Sequence, residues 1–267
     1  MKISIIIPYY NAINTIERTL FSIYNQTYNN YEVIVINDKS TDNPLQIINN
    51  YKLKFESNNN NFKYIELDEN CGPSKARNYA WDISEGDYLA FLDSDDFWHS
   101  QKLETCVNFL AISKAHMLIH SCEVYNGNSI DKIILNKYGD EKDFNLIKSN
   151  KYKWLLKNHS VTPSVILNQK ITLRFSESMK YSEDYDLWLR VVFNYNNTFE
   201  IIGPTLTFLG KPFMIGNGLS SNVHKMRIGE LQLYFNFCKQ NKGYLIILPF
   251  LILNSILKHF KLLLKII

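Results

Sequence analysis

Five short apolar runs, separated by polar stretches long enough to be helices, constrain this chain more than any other feature. The runs are ISIII (3–7), EVIVIN (32–37), FKYIEL (62–67), DYLAFL (87–92) and HMLIHSCEV (116–124), all rich in β-branched and aromatic residues. Helix-like segments fall around 14–26, 42–55, 74–84 and 100–113. Such alternation predicts an α/β fold with a mostly parallel, doubly wound sheet. Ligands bind such sheets at the carboxyl ends of the strands, so the residues leaving each strand are the ones to inspect. They read PYYN, NDKSTD, DENCGPSKARN and DSDD, polar throughout and acidic at two exits. The second half is less regular. It predicts a helix over 145–157, a strand over 163–167 and a helix over 183–195, with SNNNNF (57–62) as a polar turn.

The fourth exit, FLDSDDFW (91–98), crowds three aspartates into four positions. Two explanations compete. Asp and Ser are strong helix N-cap residues, and a helix beginning at Phe97 or Trp98 assigns Asp96 that role. Alternatively, carboxylates at i and i+2 on a turn leaving a strand can share one hard divalent cation, which relieves their repulsion.

Bulk properties narrow the field. With 46% hydrophobic and 21% charged residues the chain is globular rather than disordered, and 267 residues suffice for one large domain, or for a domain of roughly 200 residues with an appendage. A net charge of +3 gives no nucleic-acid footprint. Cys71, Cys106, Cys122 and Cys238 have no metal-site rhythm and fit a reduced compartment. MKISIIIPYYN reads as a first strand rather than a signal peptide. Charge is nevertheless uneven. No acidic residue follows Glu230, whereas Lys239, Lys242, Lys258, Lys261 and Lys265 all do. The tail from Gly243, interrupted by Pro249, has an uninterrupted apolar portion shorter than a bilayer span. It predicts a basic interfacial helix; a helix pair packed on the domain's own surface is the alternative.

Taken together, SIIIPYYN (4–11), SIYNQTYNNYEVIVINDKSTD (22–42), NCGPSKARN (70–78), FLDSDD (91–96) and EDYDLWLR (183–190) resemble the family 2 glycosyltransferases. The resemblance covers about the first 190 residues, in the family's order. It implies a GT-A, Rossmann-like fold, a nucleotide-sugar donor, most simply a UDP-sugar, and Mn²⁺ or Mg²⁺ as cofactor. By resemblance Asp38 contacts the nucleobase, with Pro8 and Tyr10 bordering it and Arg77 on the nucleotide. Where the family commonly has two aspartates, this chain has Asn37 then Asp38. Asp93 falls nearer the ribose or sugar and Asp95 is the direct metal ligand. Asp184 is the general base, Glu183 supports it, and Trp188 either lines an acceptor pocket or belongs to the core. Ser40 and Asp42 read as helix caps, Lys75 as a solvated lysine, and His224 stays outside the site.

The expected organisation is a glycosyltransferase domain over 1–225, its nucleotide half 1–115 and its acceptor half 116–225, with a basic apolar tail over 226–267. The expected activity is inverting, metal-dependent transfer to a hydroxyl of a glycan or lipid-linked acceptor in bacterial surface-polysaccharide synthesis. The tail would make peripheral contact at the inner face of the cell membrane. A non-catalytic nucleotide-sugar scaffold is one alternative. A phosphohydrolase is another, although the DxD lies on the fourth strand and lacks the Gly-Thr of the haloacid dehalogenase motif.

Overall fold

A computed structural model describes residues 1–127, 129–138, 141–211 and 222–266, with side chains to residue 262 in the last helix. The Leu219–Ser221 part of the segment carrying His224, and the side chain of Lys265, lie outside the described residues.

The first half follows the expected alternation. It runs β1 (Ile3–Tyr9), α1 (Ile16–Tyr24), β2 (Tyr31–Asn37), α2 (Leu45–Ser57), β3 (Asn61–Glu66), α3 (Pro73–Asp82), β4 (Tyr88–Phe91), β5 (Phe97–Trp98) and α4 (Lys102–Ser113). The second half comprises β6 (Met117–His120), β7 (Cys122–Val124), α5 (Ile130–Leu135), β8 (Asn145–Lys148), α6 (Lys151–Trp154), β9 (Val165–Asn168) and α7 (Glu183–Asn194). β10 (Thr198–Ile202), β11 (Thr207–Leu209), α8 (Val223–Gln240), a 3-10 turn over Lys242–Ile247 and α9 (Leu248–Ile266) complete it.

Eight strands form the main sheet in the order β3-β2-β1-β4-β9-β6-β10-β8, and three form a small one, β5-β11-β7. β3, β2, β1 and β4 are mutually parallel, as are β6 and β10, while β9 and β8 run antiparallel to their neighbours. All seven residues of β2 are buried, as expected of a strand covered on both faces. Its alternate side chains feed two cores. Ile34 and Ile36 join Ile6, Phe91, Trp81 and Trp188 on one face. Val33 and Val35 join Ile5, Ile7, Leu20, Phe55 and Leu110 on the other.

Three expectations change. No helix covers 145–157: β8 pairs there with β10 at the sheet edge, and only Lys151–Trp154 is helical. The run 116–124 breaks at Ser121, with β6 in the main sheet and β7 in the small one. No helix begins at Phe97 either, since Phe97 and Trp98 pair with Phe208 and Thr207 as β5.

Candidate active site

The first two strand exits are stitched together. Asn11, in a left-handed conformation, accepts the Thr41 N–H at its side-chain oxygen and donates its own N–H to Ser40 Oγ. Asp42 Oδ2 accepts the Ile13 N–H, whereas α2 is preceded by Pro44 and has no side-chain cap. Ser40 and Asp42 therefore brace the β1 exit and cap no helix. This leaves Tyr9 buried and Tyr10 half exposed, so Tyr10 is a rim residue and no part of the core. Asp38, 3% exposed, holds the loop before α3, its two oxygens accepting the Cys71 N–H at 2.7 Å and the Gly72 N–H at 2.8 Å. Gly72 has φ of +83°, where a side chain would be strained, and Pro73 then occupies the first helical turn. Each carboxylate oxygen has a second lone pair, so the anchoring leaves Asp38 able to accept from a further donor on either oxygen. Asn37 is used internally, donating to Tyr64 and accepting from the Ser40 N–H.

α3 projects Arg77 inward beneath the fourth exit. The guanidinium, almost fully buried, donates to Asp93 at 2.6 Å and to Glu183 at 3.3 Å and packs over the Phe175 ring. Lys75, on the solvent side of the same helix, pairs with Glu69. α7 opens at Ser182, which takes a left-handed turn so that Glu183 and Asp184 lie in the first helical turn beside this pair. Asp184 accepts the Tyr185 N–H at 2.7 Å on one oxygen and is approached by Asn158 Nδ2 at 3.4 Å on the other. Burial, followed by the charge of Asp184, pushes Glu183 up to about 7, with Arg77 opposing. Burial also raises Asp184. One guanidinium thus faces three carboxylates, those of Asp93, Glu183 and Asp184. Trp188 is fully buried against Phe91 and Phe175, so it supports α7 from beneath and lines no acceptor pocket.

The DSDD turn is fixed by its backbone. Arg18 of α1 donates to the Asp95 carbonyl oxygen, and Thr19 Oγ1 donates to the carbonyls of Ser94 and Asp96. Asp96 does not cap a helix. It is buried, and its carboxylate accepts the Gly210 N–H at 2.8 Å. Burial, with Asp93 and Asp95 adding like charge, lifts it well above the usual carboxylate range. Burial and the two neighbouring carboxylates thus both disfavour the ionised form of Asp96. Asp95 pairs with the exposed Lys211 at 3.0 Å. Among the described residues no group of three His, Cys, Asp or Glu side chains gathers around one point. A single carboxylate such as Asp95 would suit a hard cation that keeps water and phosphate oxygens as most of its ligands.

Arg18 and Gly210 carry no motif signal, because their contacts arise only when α1 and β11 pack against the turn. A Cβ on Gly210 would overlap the Asp95 carbonyl oxygen and Arg18 Nη2. Gly210→Ala is therefore expected to cost about 2 kcal/mol, since inserting a methyl into a packed site forces backbone shifts. The thermal midpoint should fall by roughly 4–8 °C, measurable by scanning calorimetry. An unchanged midpoint would show that the turn yields freely. Asn158 was equally silent in sequence. His224 packs edge-on against His259 in the C-terminal helices.

With this geometry in place, the profile of Glycosyl transferase family 2 matches residues 4–171. The poly(ribitol-phosphate) beta-glucosyltransferase of Bacillus spizizenii is 35% identical over 187 residues, covering 69% of this chain and 28% of that protein. The Escherichia coli UDP-Glc:alpha-D-GlcNAc-diphosphoundecaprenol beta-1,3-glucosyltransferase WfgD is 32% identical over 195 residues, 73% of this chain and 71% of that one. The chain thus spans between about a quarter and three quarters of these curated relatives' lengths. The crystal structure of S. aureus TarS in complex with UDP-GlcNAc superposes with a TM-score of 0.71 at 22% identity, covering 89% of this chain and 67% of that one. The shared architecture is the GT-A fold.

Proposed function

This chain belongs to glycosyl transferase family 2, and on that premise we propose that it moves a sugar from a UDP-sugar to a hydroxyl of a lipid-linked or polymeric surface-glycan acceptor, with inversion. The observation that carries the reading is Arg77, which ties a donor-side carboxylate, Asp93, to the pair Glu183–Asp184 on the other side of the cleft. Support for the acceptor class comes from the relatives, one named for a diphosphoundecaprenol-linked sugar and one for poly(ribitol-phosphate).

In this reading residues 1–115 hold the nucleotide and 116–225 the acceptor. Asp38 receives the base, with Pro8 and Tyr10 at its border, and Asp93 faces the ribose or sugar. Asp184, ionised, accepts the proton of the acceptor hydroxyl, whose oxygen forms a bond to the anomeric carbon as the bond to the UDP oxygen breaks. Glu183, paired with Arg77, lies beside Asp184 and supports it. Asp95 would hold Mn²⁺ or Mg²⁺, which when bound would supply positive charge to the diphosphate leaving group. The tail over 226–267 holds the protein at the inner face of the cell membrane, where a lipid-linked acceptor resides.

Calorimetric titration of UDP with and without Mn²⁺ tests the assignment. Asp95→Ala should remove the metal-dependent part of the affinity and leave the metal-free part intact. Identical UDP–Mn²⁺ binding in parent and variant would sink the metal role.

A further inference from the structure

α9 is two-sided. Leu251 and Ser255 face the protein, whereas Phe250, Leu253, Leu257 and Phe260 are each more than half exposed, and Ile246 just before the helix is 86% exposed. By length and composition Lys242–Leu262 could cross a membrane, with a mean hydropathy of 1.6. The contacts along its inner side argue otherwise. Ser255 Oγ and Lys258 Nζ both donate to the buried Glu230, and Asn254 Nδ2 and Lys258 Nζ both donate to the Leu156 carbonyl oxygen at 2.9 Å. Crossing a bilayer would strip these polar contacts in a solvent that replaces none of them. An outward apolar face on a polar, docked back suits a helix lying in the interface plane.

A second segment adjoins it. Over 151–157 the chain reads KYKWLLK, with Tyr152, Lys153, Leu156 and Lys157 exposed while Trp154 and Leu155 are buried. Tyr152 packs edge-on to Phe193, which packs edge-on to Tyr244 just before α9, and Lys151 lies over the Phe193 ring. The Leu156 carbonyl joins the two segments directly. The acidic neighbour of Lys153 and Lys157 is Glu200, half buried on β10 and raised by that burial.

We propose that the outward row of α9 and the segment 151–157 form one docking face for an anionic bilayer, apolar at its centre and basic at its margin. The occupant is argued from charge: the segment contributes three lysines and no acid, and the chain after Glu230 carries no acid at all. Docking there also orients the candidate base, because Asn158, two residues beyond Leu156, donates to Asp184. Only this last step rests on the glycosyltransferase reading.

The test is sedimentation of the full chain with vesicles of phosphatidylglycerol mixed into phosphatidylcholine, against phosphatidylcholine alone. The parent should sediment only with the anionic vesicles. Reversing Lys151, Lys153 and Lys157 to Glu should weaken that binding roughly hundred-fold or more, since each cation near an anionic surface contributes separately. L253D/L257D should abolish it, and both variants should titrate UDP like the parent. Hydrogen exchange on the unmodified protein provides the second measurement: anionic vesicles should slow exchange across 151–157 and α9 together. Protection confined to α9, parent-like sedimentation of L253D/L257D, or a dimer that this variant separates would each overturn the proposal. Vesicle binding retained in a protein that binds no UDP would instead sink the enzymatic reading and leave this one standing.

Discussion

Asp184→Asn is expected to lower sugar transfer by roughly 10²–10⁴-fold, the usual contribution of a positioned general base, while UDP affinity stays unchanged. The substitution keeps an acceptor for the Tyr185 N–H and gives up only the long contact donated by Asn158 Nδ2, so the fold of the α7 entrance should survive. Initial rates with a UDP-sugar and acceptor, set beside calorimetric UDP titration, separate the two effects. Retention of the parent's rate would remove Asp184 from the reaction. The pH dependence adds a check. Burial raises Asp184, and only its ionised form accepts a proton, so transfer should fall as pH drops, along a limb above the ordinary aspartate range. Whatever rate remains in Asp184→Asn should lack that limb.

Arg77→Leu should be the most destabilising single change in the cleft. It leaves Glu183 buried and Asp93 partly buried without a countercharge, and breaking such a pair costs about 3 kcal/mol or more. The thermal midpoint should drop by roughly 6–12 °C. The sign of the pH effect follows from linkage. Glu183 stands near 7 in the folded chain against an ordinary value of 4.5, so between those values the folded state holds more protons than the unfolded. Stability therefore declines as pH rises through that window. Arg77 opposes the shift, and its loss should steepen the decline. Parent and variant should accordingly lie closer together at pH 5.5 than at pH 8. A gap that narrows toward alkaline pH would contradict the assigned ion pairs.

The parallel half of the sheet was legible because its strands are buried on both faces. Continuous runs such as EVIVIN have few other uses, and the polar exits follow from where such strands must end. β8 was not legible. It is an edge strand, Asn145–Lys148, mostly exposed and reading NLIK, and only its pairing with β10 makes it extended. β5 spans two residues and exists because β11 passes beside it. The same contrast runs through the cleft. Asp93 and Asp184 could be nominated from strand and helix termini, but the Arg77 contacts reach across 16 and 106 residues. Asp96 was misread for a physical reason. The residue types of an N-cap and of a buried turn aspartate are identical, and the Gly210 N–H that distinguishes them lies 114 positions away.

Glu230 gathers Arg227, Tyr234, Ser255 and Lys258 around one buried carboxylate beneath the α7 entrance. Two of those partners are made late. A nascent chain that has emerged only as far as α8 must carry this charge inside the protein with half of its partners still unsynthesised, or keep that corner open until they arrive. The interior of the catalytic-type domain is thus completed by residues that composition alone would assign to an appendage, and translation must pass position 258 before the corner can close. A shortened version ending near Gly243 would be a chain halted before that closure, and any loss of vesicle binding it showed would be confounded with incomplete folding.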